Sequence, residues 1–466
     1  MVRFFHKLVR SIAERIAFIL FALSIMIVVW GYGVYSHKHE LFPYPQVNYV
    51  VDQARQGFRI VRGQFKPELG WFFYRRPPEN ISLVNTYIPD AVSPELVLFY
   101  GITDNEKMAV QIIDNQGSVL HSWILDLFKL WPDMSHIPPR NLPKADPGGE
   151  INGLEITRSG DIIFNFSPAG LMRLDFCGNV VWRLPINTHH SVQNDHDGGF
   201  IVLEQVLLSE PDQVDQDGSV EVFEENIIWV AQDGSVLDRI SINDLLLENG
   251  FDGLYYLAAQ DNFGIRFDRN DNLHTNDAEM FPPDMEEGYF GRGDVVVSMR
   301  NLNTILVFNM ETRMVKYLHT GSMVMQHDPD FISGNEISVF DNHSVVGRFM
   351  YRDKRPENVS SRILLLDASN GTEKVFFEGR ENTPFFTDIM GTHQWLPNGN
   401  VLITESRWGR VFELTPNAEL AWEYNNILST GVAEGLLGVI FEGRRLPPEF
   451  NPEKLRSLAA ACISGF

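Results

Sequence analysis

The sequence predicts an all-β fold, a six-bladed β-propeller preceded by one N-terminal transmembrane helix, and three observations predict it. Residues 97 to 430 are a succession of short β-branched and aromatic runs broken by turn dipeptides such as Asp197-Gly198, Asp233-Gly234, Asn370-Gly371 and Asn398-Gly399, with almost no helical periodicity. A strand-turn-strand unit recurs, starting at Asn152, His190, His274, His327 and His393. A second echo puts a tryptophan a few residues after a turn, in Gly117–Trp123, Gly178–Trp182 and Asn417–Trp422, as if the same outer strand closed several sheets. Repeated units of this length, about 40 to 50 residues each plus loops, suit propeller blades and leave a β-sandwich without an account of the echoes.

The elements follow in order. Residues 1 to 15 form a basic segment, with Arg3, Lys7, Arg10 and Arg15 against Glu14. Residues 16 to 35 then run without a charge for the roughly 20 positions that a helix needs to cross a bilayer. The positive-inside rule keeps the N-terminus in the cytoplasm and sends the rest across the inner membrane into the periplasm, with Trp30, Tyr32 and Tyr35 at interfacial level. A cleaved secretory signal is the rival reading, but its apolar region is shorter and Tyr-Ser-His-Lys-His offers no small-residue cleavage site. Residues 36 to 96, rich in proline and aromatics, read as a stalk and packing segment. Residues 97 to 430 hold the blades, near 97–150, 151–186, 187–245, 270–320, 325–378 and 391–428. Residues 431 to 466 read as a C-terminal extension with a short helix from Pro452 to Cys462.

Composition bounds the function. An apolar fraction of 44% is ample for a large core. The net charge of −23 argues against nucleic acid, whose recognition rests on basic patches. Cys177 and Cys462, far apart and in unlike contexts, give no basis for a disulfide framework or a thiolate metal site.

First strands of propeller blades line the central channel, so residues at their starts converge. His190, His274, His327 and His393 hold that place in four inferred blades, and a channel-mouth cluster of imidazoles follows. Such a cluster can bind zinc, copper or iron, or supply a nucleophile and proton carrier near neutral pH. Arg348, Arg407 and Arg410 follow the inner strands of the last two blades, where a fixed cation suits an oxyanion better than a metal. The residues therefore favour an anionic substrate, with no metal and no cofactor.

The ordered set Leu273-His274-Thr275-Asn276-Asp277, Asp294–Leu302 with Ser298, Arg300 and Asn301, Gln326-His327-Asp328, Val339–Asn342, Ser361–Ile363 and Gly391–Asn400 resembles the bacterial arylsulfate sulfotransferase family over residues 97 to 428. The resemblance implies a six-bladed propeller that moves a sulfuryl group from a phenolic sulfate ester to a phenol, by a ping-pong route through a sulfated histidine and without a nucleotide donor. It implies His393 as the nucleophile, with His274, His327 and Arg348 binding the sulfuryl oxygens and handling the phenol proton; Arg352 or Arg407 could take the arginine's role. His190, with the adjacent His189, Arg407 and Asn276 are expected to contact substrate. The partners so implied are a small aryl sulfate and a phenol, and the membrane through the anchor, with oligomeric state open. Known members carry a signal peptide and an N-terminal β-domain for dimerisation, which this chain has little room for. Two other classes stay open: a non-catalytic binding propeller or subunit of a membrane complex, and a metal-dependent hydrolase.

Overall fold

The computed structural model describes residues 2–39, 41–42, 73–137, 141–143, 149–207, 223–258, 273–344 and 359–464. The chain divides after residue 69 into two units. In the first, one helix runs over Val2–Lys38, and its stretch Arg15–Ser36 has a mean hydropathy of 2.3, long and apolar enough to cross a membrane. Phe18, Ile27, Val28 and Trp30 stand exposed on it, as they would facing lipid.

The second unit is a six-bladed propeller of antiparallel four-stranded sheets. Blade two holds Leu154–Ile156, Ile162–Phe166, Gly170–Leu174 and Val180–Leu184. Blade three holds Thr188–Asn194, Phe200–Leu207, Phe223–Val230 and Val236–Ser241. Blade four holds Thr275–Met280, Asp294–Met299, Thr304–Asn309 and Val315–Thr320. Blade five holds His327–Phe331, Glu336–Asp341, Arg362–Asp367 and Thr372–Glu378. Blade six holds Thr392–Trp395, Val401–Glu405, Arg410–Leu414 and Leu420–Asn425. The first strands of neighbouring blades touch one another, so they line the axis.

Blade one closes the ring. Its inner strand is Ile440–Arg445, from the segment that the sequence reads as a C-terminal extension, and it pairs with Val97–Thr103, which is followed by Lys107–Ile113 and Val119–Ile124. At the other end of the chain, Val84–Thr86 adds a fifth strand to the outer edge of blade six. Blades one and six are thus built from both ends of the propeller chain, which removes exposed edges at the seam.

The core lies between blades rather than at one centre. Ile201, Ile227, Val295 and Leu306 pack blade three on blade four, and Phe340, Phe377, Phe385 and Phe412 pack blade five on blade six. The tryptophan echo has a physical reason. Trp123, Trp182 and Trp422 each sit on a fourth strand, and each indole N–H donates to a carbonyl in a turn of the next blade, Asp175, Gln232 and Asn115, at 3.1, 2.9 and 3.0 Å. The indoles of Trp123 and Trp422 are buried and need such a partner, and half-buried Trp182 repeats the bond.

Cys177 and Cys462 are joined in a disulfide, against the sequence reading, with Cα atoms 5.5 Å apart. It links a turn of blade two to the terminal helix Pro452–Ser464. Sequence spacing held no trace of it, because the two residues meet only once the ring has closed.

Candidate active site

A cavity of about 350 Å³ opens at the axis, lined by His190, His274 and His327 together with Asn276, Asp277, Arg300, Asp328 and Thr392. Three of the four expected histidines therefore share one space. His190 and His274 meet edge to face with ring centroids 4.8 Å apart. Local backbone makes this possible: His190 and His274 both take left-handed φ values, +51° and +48°, beside irregularities in the inner ladders of blades three and four. Such bulges re-aim side chains that a regular strand would alternate between faces. Gly153 serves the same end, since a Cβ there would lie 2.0 Å from the carbonyl oxygen of His190.

His327 is buried, and its Nδ1 lies 2.7 Å from Oδ1 of Asn342 and 3.1 Å from the carbonyl of Met325. Asn342 spends its NH2 on the carbonyls of Thr387 and Met390, so its oxygen accepts. Nδ1 of His327 must then carry the hydrogen, and Nε2 the lone pair.

His393 does not line this cavity. Its side chain is wholly buried; Nδ1 is 2.8 Å from Oδ2 of Asp328, Nε2 is 2.7 Å from Oγ of Ser338, and Asp330 is 3.6 Å from Nε2. The ladder explains why. Phe331 pairs with Ile337 and Trp395 with Val401, so Thr392 opposite Thr404 occupies the place of His327 opposite Phe340. His393 comes one position later, and in a strand one position reverses the face. Asp328, Asp330 and His393 bring ligand atoms within 4.8 Å of one another, a spacing open to a metal ion.

Arg300 stands in the cavity wall at the start of the 3₁₀ turn Arg300–Leu302, whose backbone bonds back to the carbonyls of His274 and Leu273. The sequence motif that holds Arg300 carries no role for it; its place at the end of the second strand of blade four, whose ladder runs back to His274, is the signal that puts it there. Thr392 was missed for want of counting back from the turn. Arg407 is buried 3.6 Å from Asp388 and does not line the cavity. Arg348 and Arg352 lie outside the described residues. Asn276 donates to the carbonyl of Gln326 at 2.8 Å, and its Oδ1 has no hydrogen-bond partner among the described residues.

Charge decides what this cavity can hold. Glu150, Asp277 and Glu442 would repel an anion if ionised, yet burial pushes each of them up from the ordinary carboxyl range, Asp277 well above it. The His190 imidazole is held well below its usual value, first by burial and then by His274, His189, Arg300 and His327. For His393 burial opposes protonation, but Asp330 and Asp328 outweigh it and raise its value. Arg300, the amide of Asn276 and three imidazoles stand beside these carboxyls, and Asp328 already accepts from the backbone N–H and the ring of His393; the donors among them suit the oxygens of an anion.

The model of the arylsulfotransferase (ASST) family matches residues 155–427, more than half of the chain. The chain belongs to the arylsulfotransferase family. That match spans blades two to six and every histidine of the site. No curated protein matches significantly. Among solved structures, a Bacteroides caccae protein of unknown function is 12% identical, with 75% of this chain and 98% of that one covered at a TM-score of 0.44. A virginiamycin B lyase from Staphylococcus aureus is 11% identical over 67% of this chain and 89% of that one, at 0.35. Neither likeness bears on how this arylsulfotransferase family member works.

Proposed function

We propose that this protein is a membrane-anchored aryl sulfotransferase that carries a sulfuryl group from a phenolic sulfate ester to a phenol through a sulfated histidine, and that His327 is that histidine. The observation that carries the assignment is the tautomer of His327: Asn342 and Met325 hold its Nδ1 hydrogen, leaving the Nε2 lone pair on a ring that lines the cavity. His393 carries the same tautomer, its Nδ1 held by Asp328, but does not line the cavity, which makes it the weaker candidate. Arg300, His274 and Asn276 surround the sulfuryl oxygens. Sulfuryl transfer, like phosphoryl transfer, spreads charge over three equatorial oxygens and depends on positioning and electrostatic stabilisation.

Export across the inner membrane on an uncleaved anchor agrees with the apolar helix, and the Cys177–Cys462 disulfide agrees with an oxidising compartment. The deciding experiment incubates the full-length protein in detergent with a chromogenic aryl sulfate, with and without a phenol, and follows intact mass. Turnover with an added sulfuryl group on His327 is expected; no turnover and no adduct with any aryl sulfate would end the reading. A metal-dependent alternative rests on Asp328, Asp330 and His393, and elemental analysis of protein purified without chelator tests it.

A further inference from the structure

His189 and His190 are consecutive, yet their rings meet, because the ladder slips between His189 and Val192 and His190 takes a left-handed φ. Their Nδ1 atoms are 2.7 Å apart with ring planes at 89°. Two nitrogens at that distance share one hydrogen; two lone pairs or two hydrogens would repel. On its far side His189 presents Nε2 3.3 Å from Oε2 of Glu225, a buried carboxylate on the third strand of blade three. Gln205 donates to the other oxygen of Glu225 at 3.0 Å, and the backbone N–H of Glu225 donates to Asn243. The carboxylate is thereby fixed behind the histidine pair.

We infer that Glu225, His189 and His190 form a proton relay that serves the cavity, with His190 as its terminal donor and acceptor; this rests on the sulfuryl-transfer reading. The Nε2 of His189 stands at ion-pairing distance from the carboxylate, without hydrogen-bond geometry, and a hydrogen on its Nδ1 faces His190, so the charge of the doubly protonated ring is balanced by Glu225. The Nδ1 of His190 then accepts, and its own hydrogen sits on Nε2. His190 is thus a donor toward the cavity where His327 is a lone-pair bearer, two opposite tautomers set by different neighbours.

The relay balances the reaction. As Nε2 of His327 bonds to sulfur, the ester S–O bond breaks and its electron pair stays on the aryl oxygen. That oxygen takes the Nε2 hydrogen of His190, which takes the Nδ1 hydrogen of His189. The phenol departs neutral, and Glu225 now faces a neutral His189 that keeps its Nε2 hydrogen. An incoming phenol returns its proton to His190 Nε2, the shared hydrogen returns to His189, and the phenolate oxygen displaces His327 from sulfur. One proton is lent and recovered in each cycle. The other charged or titratable groups facing His190 are His274, Arg300 and His327, none of which reaches Glu225 in the relay's line.

The test uses full-length protein and aryl sulfates whose leaving phenols differ in acidity. Glu225→Gln and His189→Asn are expected to lower kcat/KM about 10²-fold for weakly acidic phenols, in the range of a lost general acid, and to leave 4-nitrophenyl sulfate within a few-fold of normal. A uniform loss along the series, or none, would overturn the relay. Nitrogen-15 spectra of the histidine-labelled protein give a readout that needs no turnover: a coupling across the shared hydrogen between the two Nδ1 atoms is expected in the parent and absent in His189→Asn. Its absence in the parent would refute the relay even if sulfuryl transfer is observed, whereas its presence without any turnover would refute only the transferase reading.

Discussion

His393 donates to one carboxylate oxygen of Asp328 twice, from its backbone N–H and from its ring Nδ1, and Asp328 is the left-handed residue directly after His327. A blade-six histidine thereby clamps the blade-five bulge that presents His327 to the cavity. The arrangement separates a residue that would react from one that would hold it in place.

His327→Ala is therefore expected to abolish both turnover and the sulfated adduct. His393→Gln, which loses the clamp but spares the nucleophile, should slow turnover by about 10- to 100-fold, as displacement of a catalytic group does, while adduct still forms. Intact mass after a single-turnover mix checks both; adduct on the His327→Ala protein would return the role to His393.

Arg300 supplies the fixed positive charge of the cavity wall. Arg300→Ala should cost on the order of 10²- to 10³-fold in kcat, the scale of one lost oxyanion donor. Arg300→Lys should recover only part of this, because an ammonium cannot reproduce the guanidinium fork. Steady-state kinetics on the two variants decides; an unchanged kcat would remove Arg300 from the site.

Stability should fall as pH rises from about 5 to 8. Burial holds Asp277, Asp330 and Glu442 above the ordinary carboxyl range and Glu279 up to about 8. Over that window the folded chain keeps protons that the unfolded chain has released, so stability is full below the unfolded values and is lost as pH climbs through the folded ones. His393, raised by Asp330 and Asp328 against the effect of burial, adds to the trend above its unfolded value, and His190, held low, opposes it only below about 6.5. Each proton retained contributes about 1.4 kcal/mol per pH unit. Urea melts of the parent and of Glu279→Gln across this range check it, with the variant showing the shallower slope.

Reduction of Cys177–Cys462, or Cys462→Ser, should destabilise the propeller by roughly 2 to 5 kcal/mol, since the bridge closes a loop of 285 residues. The terminal helix should become the first site of proteolysis. Limited digestion with and without reductant reads this directly.

Much of the architecture could be read from residue order, because turn dipeptides, alternation and the repeated tryptophan are local properties. The tryptophans mark fourth strands for a reason visible in one blade at a time. The closing strand Ile440–Arg445 could not be read so, since its neighbour Val97–Thr103 lies at the opposite end of the propeller chain. The site divides in the same way. His190, His274 and His327, placed at blade starts, and Asn276, implied by the resemblance, do share the cavity. His393 was put with them by the same rule, but that rule does not count ladder positions, and a single residue decides which face a strand side chain takes.

The sequence by itself determined an acidic chain with one apolar helix, a ring of repeated sheets and a set of histidines converging on its axis, because composition and periodicity are written along the chain. Only the tertiary structure decided which histidine meets the cavity, that Arg300 and Thr392 stand beside it, that Cys177 meets Cys462, and that Glu225 backs His189 and His190. Those relations depend on register, bulges and ring closure, which bring together residues that no local pattern connects.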